Sequence, residues 1–290
     1  MRHYKKGEYR DQFVIAYIAD LNDYEDVVKW SIRFSNLLQK GLILLHISDP
    51  VYTDISTTEA EKKLKEINDQ ISLPYTHTYA AVKGKTKDVI HNTGDLLNGV
   101  MIVSKVLNKK HSSTNTLSKT KNPLTINNIL SNFYTSRLAY FIFTDKYKDT
   151  DFKEVVLSMN GLKEAKEKIL WASYFGRFAK SRINIFYHRY RDEFLQKQLN
   201  LNIGFSRRMF RNFDIETLNV HCMKKNALVD VQAMEYAEKE SRSICIFQTT
   251  SNKSFIDFFQ GLSERKVLQT MKHVPVLFLN HRDDIFVMCE

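Results

Sequence analysis

The strongest constraint on the fold of this 290-residue chain is that it repeats itself. The stretch FVIAYIADLNDYEDVVKWSIRFSNLLQKGLILLHISDP, Phe13 to Pro50, is echoed by KEVVLSMNGLKEAKEKILWASYFGRFAKSRINIFYHRY, Lys153 to Tyr190. The two tryptophans, Trp30 and Trp171, stand 141 residues apart, Phe34 and Phe175 keep the same offset, and His46 and His188 are 142 apart. A repeat of this length is a whole domain, because a unit of some 140 residues can bury its own core.

Each unit has the same pattern. A run rich in β-branched and aromatic residues, Phe13 to Ala19 or Val155 to Met159, predicts a buried strand that stops at a polar turn, Asp20 to Asp23 or Asn160 to Lys163. A helix follows, with apolar positions Val27, Trp30, Phe34, Leu37 and Leu38 in the first unit and Ile169, Leu170, Tyr174 and Phe178 in the second. Next come LILLHI and INIFYH, short apolar strands of the kind buried on both faces of a parallel sheet.

The alternation continues with helices over 58–70 and 85–97, strands over 76–82 and 100–104, the helix LTINNILSNFYTS and the strand LAYFIFTD. In the second unit helices are expected over 193–213, 228–240 and 255–271, with strands over 216–221 and 244–247 and a last strand VPVLFLN. Five strands alternating with four helices make a doubly wound α/β sheet with right-handed crossovers. The boundary falls in the charged linker YKDTD, giving domains 1–148 and 149–290.

Strand, Asp-containing turn, helix with a tryptophan, then a strand ending in LLHI resembles the universal stress protein family. SERKVLQTMKHVPVLFLN is similar to that family's closing helix and strand. The resemblance implies two tandem flavodoxin-like, adenine-nucleotide-alpha-hydrolase-like domains, each a five-stranded parallel sheet with helices on both faces. It also implies pairing through the last strand, a role in stress response or regulation, and, in one branch of the family, ATP binding. That branch keeps an aspartate after its first strand and a glycine-rich loop after its fourth, where backbone amides approach phosphate closely.

This sequence departs from that pattern. Asp20 matches the aspartate but its copy is Asn160, and no glycine follows either fourth strand at the required place. In the second loop, QTTSNKSFIDFFQGLSER, the hydroxyls of Thr249, Thr250, Ser251 and Ser263 stand in for them, either holding an anion or capping the next helix. The expectation is therefore an intramolecular pseudo-dimer with degenerate nucleotide sites and no catalytic residue. No cofactor is expected, ATP being the one left open, bound by one half acting as a switch or slow ATPase.

The remaining function classes are narrowed by composition. A net charge of +10 concentrates in KVLNKKHSSTNTLSKTKN, residues 105–122, and in residues 176–212, where nine Lys or Arg face two acids. Such clusters suit a basic partner-binding module, but no aromatic-basic RNA signature accompanies the lysine run, so nucleic acid is not the expected partner. A homodimer or an unidentified protein partner remains open. The three cysteines lack paired or CxxC spacing, and His221 with Cys222 on adjacent strand positions face opposite sides, so no metal site is expected. No stretch nears the roughly 18 apolar residues that cross a bilayer, and no apolar run follows the basic start, so a cytoplasmic protein is expected.

Overall fold

The computed structural model describes residues 12–106, 138–147, 152–215, 218–224, 228–240, 243–249 and 263–280. The helix expected at 124–136 and the first part, 255–262, of the one expected at 255–271 lie outside these residues. In the first half the order is β1 (Phe13–Tyr17), α1 (Glu25–Leu38), β2 (Gly41–Ser48), α2 (Thr57–Asn68), β3 (His77–Lys83), α3 (Thr86–Leu96), β4 (Gly99–Lys105) and β5 (Ala139–Phe143). In the second half it is β6 (Glu154–Met159), α4 (Ala165–Phe178), β7 (Arg182–Tyr187), α5 (Glu193–Asn212), β8 (Leu218–Cys222), α6 (Val229–Glu240), β9 (Ser243–Gln248), α7 (Ser263–Thr270) and β10 (Val276–Leu279).

Local chemistry sets several boundaries. Ser56 accepts the Glu59 amide at 3.2 Å and starts α2 with the Ser-x-x-Glu pattern of a capping box. Asp192 accepts the Leu195 amide at 2.8 Å and starts α5. Helix α1 carries Glu25 and Asp26 in its first turn, where the helix dipole favours negative charge, and ends at Gln39 in the left-handed conformation.

The ten strands form one sheet in the order β3-β2-β1-β4-β5-β10-β9-β6-β7-β8. Each half contributes the same sub-order, and every pairing within a half is parallel. The two five-stranded sheets join edge to edge through β5 and β10, which pair antiparallel with Phe141 opposite Leu277. The repeat holds at strand register: Phe13 pairs Gly41 as Glu154 pairs Arg182, and Leu42 pairs His77 as Ile183 pairs Leu218, all at an offset of 141. The histidines do not share it. The counterpart of His46 is Tyr187, the last residue of β7, and His188 lies one residue beyond, so a strand's two-residue side-chain period puts it on the other face.

Alternate residues along the strands feed two cores. Val14, Ala16, Leu42, Leu44, Val155 and Leu157 meet α1, α2, α4 and α5, whereas Ile15, Tyr17, Leu45, Ile102, Val156 and Cys245 meet α3, α6 and α7. At the junction Trp30 lies against Phe141 (5.0 Å between ring centroids), Phe152 (5.1 Å), Tyr147 (5.6 Å) and Phe143 (6.3 Å). Phe34 meets Phe175, its own repeat counterpart, edge-to-face at 6.1 Å. A residue that touches its own copy marks a pseudo-twofold axis.

The buried face of α4 differs from the sequence expectation. Ala165, Lys168, Ile169, Ala172, Phe175 and Gly176 are buried, Trp171 is half-buried, and Tyr174 and Phe178 face outward, 39% and 47% exposed. The helix turns Phe175 inward because α1 offers Phe34 there, and Gly176 stays side-chain-free because a Cβ would meet the Ile215 side chain at 2.6 Å.

Candidate functional site

In an open parallel sheet the order reverses beside the first strand, and the crevice beyond the carboxyl ends of the flanking strands is where ligands bind. Here those crevices lie between β1 and β4 and between β6 and β9.

In the first half, Asp20 follows β1 and its Oδ1 accepts the Asn22 amide at 2.9 Å. In the second, Asn160 accepts the Leu162 amide at 3.1 Å through Oδ1. Both side chains hold the same turn, which explains why aspartate and asparagine exchange between the copies. Asp20→Asn is accordingly expected to leave the free energy of urea unfolding unchanged within about 0.5 kcal/mol, whereas Asp20→Ala, which deletes the acceptor, costs about 1 kcal/mol.

Thr249 and Ser263 do not converge on one point. Thr249, at the end of β9, donates its hydroxyl to the Asn280 side chain while its amide bonds the Leu279 carbonyl at 2.9 Å. Asn280 in turn donates to the Leu138 carbonyl at 2.8 Å, so Thr249 fastens the junction between halves. Ser263 begins α7 and donates to Asp230 at 3.0 Å. Thr250 and Ser251, with the rest of residues 107–137 and 250–262, lie outside the described residues.

The fold brings other side chains to the crevices. In the first half Lys105, at the end of β4, reaches Asp23 at 2.7 Å and Asp26 at 3.9 Å, bridging the reversal point to the start of α1. Tyr147 donates to Asp26 at 2.7 Å. Below this bridge, Tyr17 and Ser104 are register partners, and the Tyr17 hydroxyl lies beside Thr86 at the start of α3. The hydroxyls of Tyr17, Thr86 and Ser104 are buried; those of Tyr17 and Thr86 face each other, and that of Ser104 makes no hydrogen bond among the described residues. Burial holds the Tyr17 phenol above its ordinary range, with the Asp49 carboxylate adding to the effect. Asp49 accepts the Thr86 amide at 2.6 Å and the Val51 amide at 3.0 Å, which fixes the amino end of α3.

His46 is buried, and its Nδ1 donates to the Ile18 carbonyl at 2.8 Å. Desolvation holds its pKa below the usual imidazole value, only partly offset by that bond and the charge of Asp20. A neutral ring braced in this way positions the β1 turn.

The second crevice is occupied by a lysine. Lys168 belongs to α4, on one side of the sheet, yet its ammonium donates to Ser158 Oγ at 3.3 Å, on the side that Val156 faces. The β6–β9 pairing ends at Leu157 with Ile246, one residue short of Ser158. Lys168 is 2% exposed, and burial lowers its pKa to about 8, with the charge of Asp230 acting the other way. At the repeat offset Ser158 replaces Tyr17 and Lys168 replaces Val27, so the large polar side chain comes from the strand in the first half and from the helix in the second. The signal legible beforehand was a lysine at a helix position whose copy is apolar.

No protein-family profile and no curated protein matches this chain. Solved structures do. A functionally unknown protein from Pseudomonas aeruginosa PAO1 superposes with a TM-score of 0.63 at 13% identity, covering 95% of this chain and 94% of that one. A protein from Pseudomonas aeruginosa UCBPP-PA14, provisionally named a universal stress protein, gives 0.63 at 13% identity over 95% of both chains. A universal stress protein from Archaeoglobus fulgidus gives 0.59 at 13% identity, covering 94% and 97%. The chain has an α/β fold of the universal-stress type, a large and mostly parallel sheet between helical layers. No helix among the described residues is long and apolar enough to cross a membrane.

Proposed function

We propose that this chain is a non-enzymatic stress-response or regulatory protein of the tandem universal-stress type, with domains 1–148 and 149–290 paired as an intramolecular pseudo-dimer and with degenerate nucleotide sites. The observation that carries the reading is Lys168, whose side chain lies across the second crevice to Ser158. The first crevice is spanned by Lys105 and Asp23, and Asp20, Asn160, Thr249 and Ser263 each already serve a turn or an inter-element bond. The antiparallel β5–β10 pairing and the Phe34–Phe175 contact support the pseudo-dimer. The protein works in the cytoplasm through a protein partner. Calorimetric titration with ATP, ADP and AMP is expected to give no saturable heat; micromolar binding at one site per chain would overturn the degenerate-site reading.

A second reading, an ATP- or AMP-dependent switch using the first half alone, is favoured by one observation. The hydroxyls of Tyr17, Thr86 and Ser104 are buried together at the first crevice, Ser104 without a hydrogen bond among the described residues, and such a group commonly meets a guest molecule or water. This reading requires nucleotide to be released when the purified protein is denatured, and Asp20→Ala to abolish that release.

A further inference from the structure

We propose that the outer surface at the carboxyl ends of α4 and α5 is a binding platform for single-stranded nucleic acid, separate from both crevices. The two helices pack side by side, and each leads into a parallel strand, so their carboxyl ends adjoin at the far end of the sheet from the crevices. There Arg177 lies 4.3 Å from the Phe213 ring centre and 5.0 Å from that of Phe178. Phe178 stacks on Tyr174 at 6.1 Å, and Tyr174 meets Trp171 at 6.4 Å. Tyr174 and Phe178 are 39% and 47% exposed, and Lys180, just past α4, and Arg207, Arg208 and Arg211, in the last two turns of α5, are exposed as well. The sequence hid this arrangement because its rings and cations lie on two helices and meet only in the fold.

The internal repeat supplies the control. Residues 176–212 hold nine Lys or Arg and two acids, whereas the matching stretch 35–71 holds four lysines and six acids. Tyr174 and Phe178 correspond to Arg33 and Leu37, and α1 has no basic residue in its last turn. The same scaffold therefore folds without a basic aromatic surface, so neither helix-dipole compensation nor packing calls for it. Gly204, midway along α5, supports this view. A Cβ there would meet nothing within 4 Å, so no contact among the described residues requires the glycine.

The occupant follows from the chemistry. Exposed rings with guanidinium groups beside them accept the π-face of a base while the cations take phosphates, the combination found in sequence-tolerant single-strand binders. An acidic protein segment would satisfy the cations but not the rings. A second copy of the chain carries the same +10 charge and is repelled.

The test is fluorescence anisotropy with a labelled oligouridylate of about 15 nucleotides over a salt series. Saturable binding that weakens steeply with salt is expected. Tyr174→Ala with Phe178→Ala should weaken it about ten-fold at an unchanged salt slope. Arg208→Ala with Arg211→Ala should flatten the log–log slope by about 0.7 per residue. These side chains are exposed, and unchanged circular dichroism and melting temperature establish that each variant is folded. Absence of binding at low salt overturns the proposal, as does equal binding by the ring variant. Loss of binding only when the lysines of 105–122 are replaced by serine also overturns it. Poly-glutamate that binds as tightly, and equally well to the ring variant, would make the surface one for acidic protein instead.

Discussion

Replacing Lys168 by methionine is expected to stabilise the protein at neutral pH, by an amount that shrinks as the solution becomes alkaline. The lysine titrates near 10.5 when unfolded and near 8 when buried. Below pH 8 both states carry the charge and the full burial penalty is present. Between about pH 8 and 10.5 this lysine binds a proton more fully in the unfolded chain than in the folded one, so its contribution to stability rises with pH; above that window its penalty is gone. The shift amounts to about 3 kcal/mol. Methionine keeps the length of the side chain without the charge but strands the Ser158 hydroxyl, which costs about 1 kcal/mol. The net gain at pH 7 is therefore about 2 kcal/mol, or about 4–8 °C in melting temperature. Urea unfolding of both proteins at several pH values reads the effect, and parallel curves for the two would exclude a charged Lys168 in the crevice.

The second large effect is expected at the junction. Trp30 is fully buried among Phe141, Phe143, Tyr147 and Phe152, rings that lie on either side of the connection between halves. Trp30→Ala should cost about 3–5 kcal/mol, the range for deleting a large aromatic from a packed core. Trp171→Ala, at the repeat-related but half-buried position, should cost about 1 kcal/mol. These are the only tryptophans, so each variant also leaves one fluorophore: Trp171 reports an emission near that of a wet indole, and Trp30 a blue-shifted one. Equal losses would contradict the inequivalence of the two sites.

The pattern of β-branched runs located the strands, and the offset of Trp30 and Phe34 from their copies anticipated a register that the sheet keeps. Those signals are local, or depend on repetition, and so survive without knowledge of neighbours. The face of α4 was not legible because both sides of the helix carry aromatic residues. Tyr174 and Phe178 satisfy a helical spacing as well as Phe175 does, and only the presence of Phe34 on α1 decides between them. The merging of two sheets into one was expected only as pairing of last strands. Its antiparallel register, Phe141 opposite Leu277, depends on residues more than a hundred positions apart. At the crevices, the turn roles of Asp20 and Asn160 followed from residue type. Lys168 crossing to Ser158 did not, because spacing alone does not show a long side chain leaving its own core.

The covalent connection between β5 and β6 gives the central strand pairing a property that two separate chains would lack. With only ten residues between Phe143 and Glu154, each half meets the other at an effective concentration on the order of millimolar, whatever the amount of protein present. Dilution cannot part the β5 and β10 edges, and rising expression cannot assemble them. The protein's abundance can therefore change without altering its internal architecture, and among the described residues the outer edges β3 and β8 and the helical surfaces stay open to concentration-dependent association.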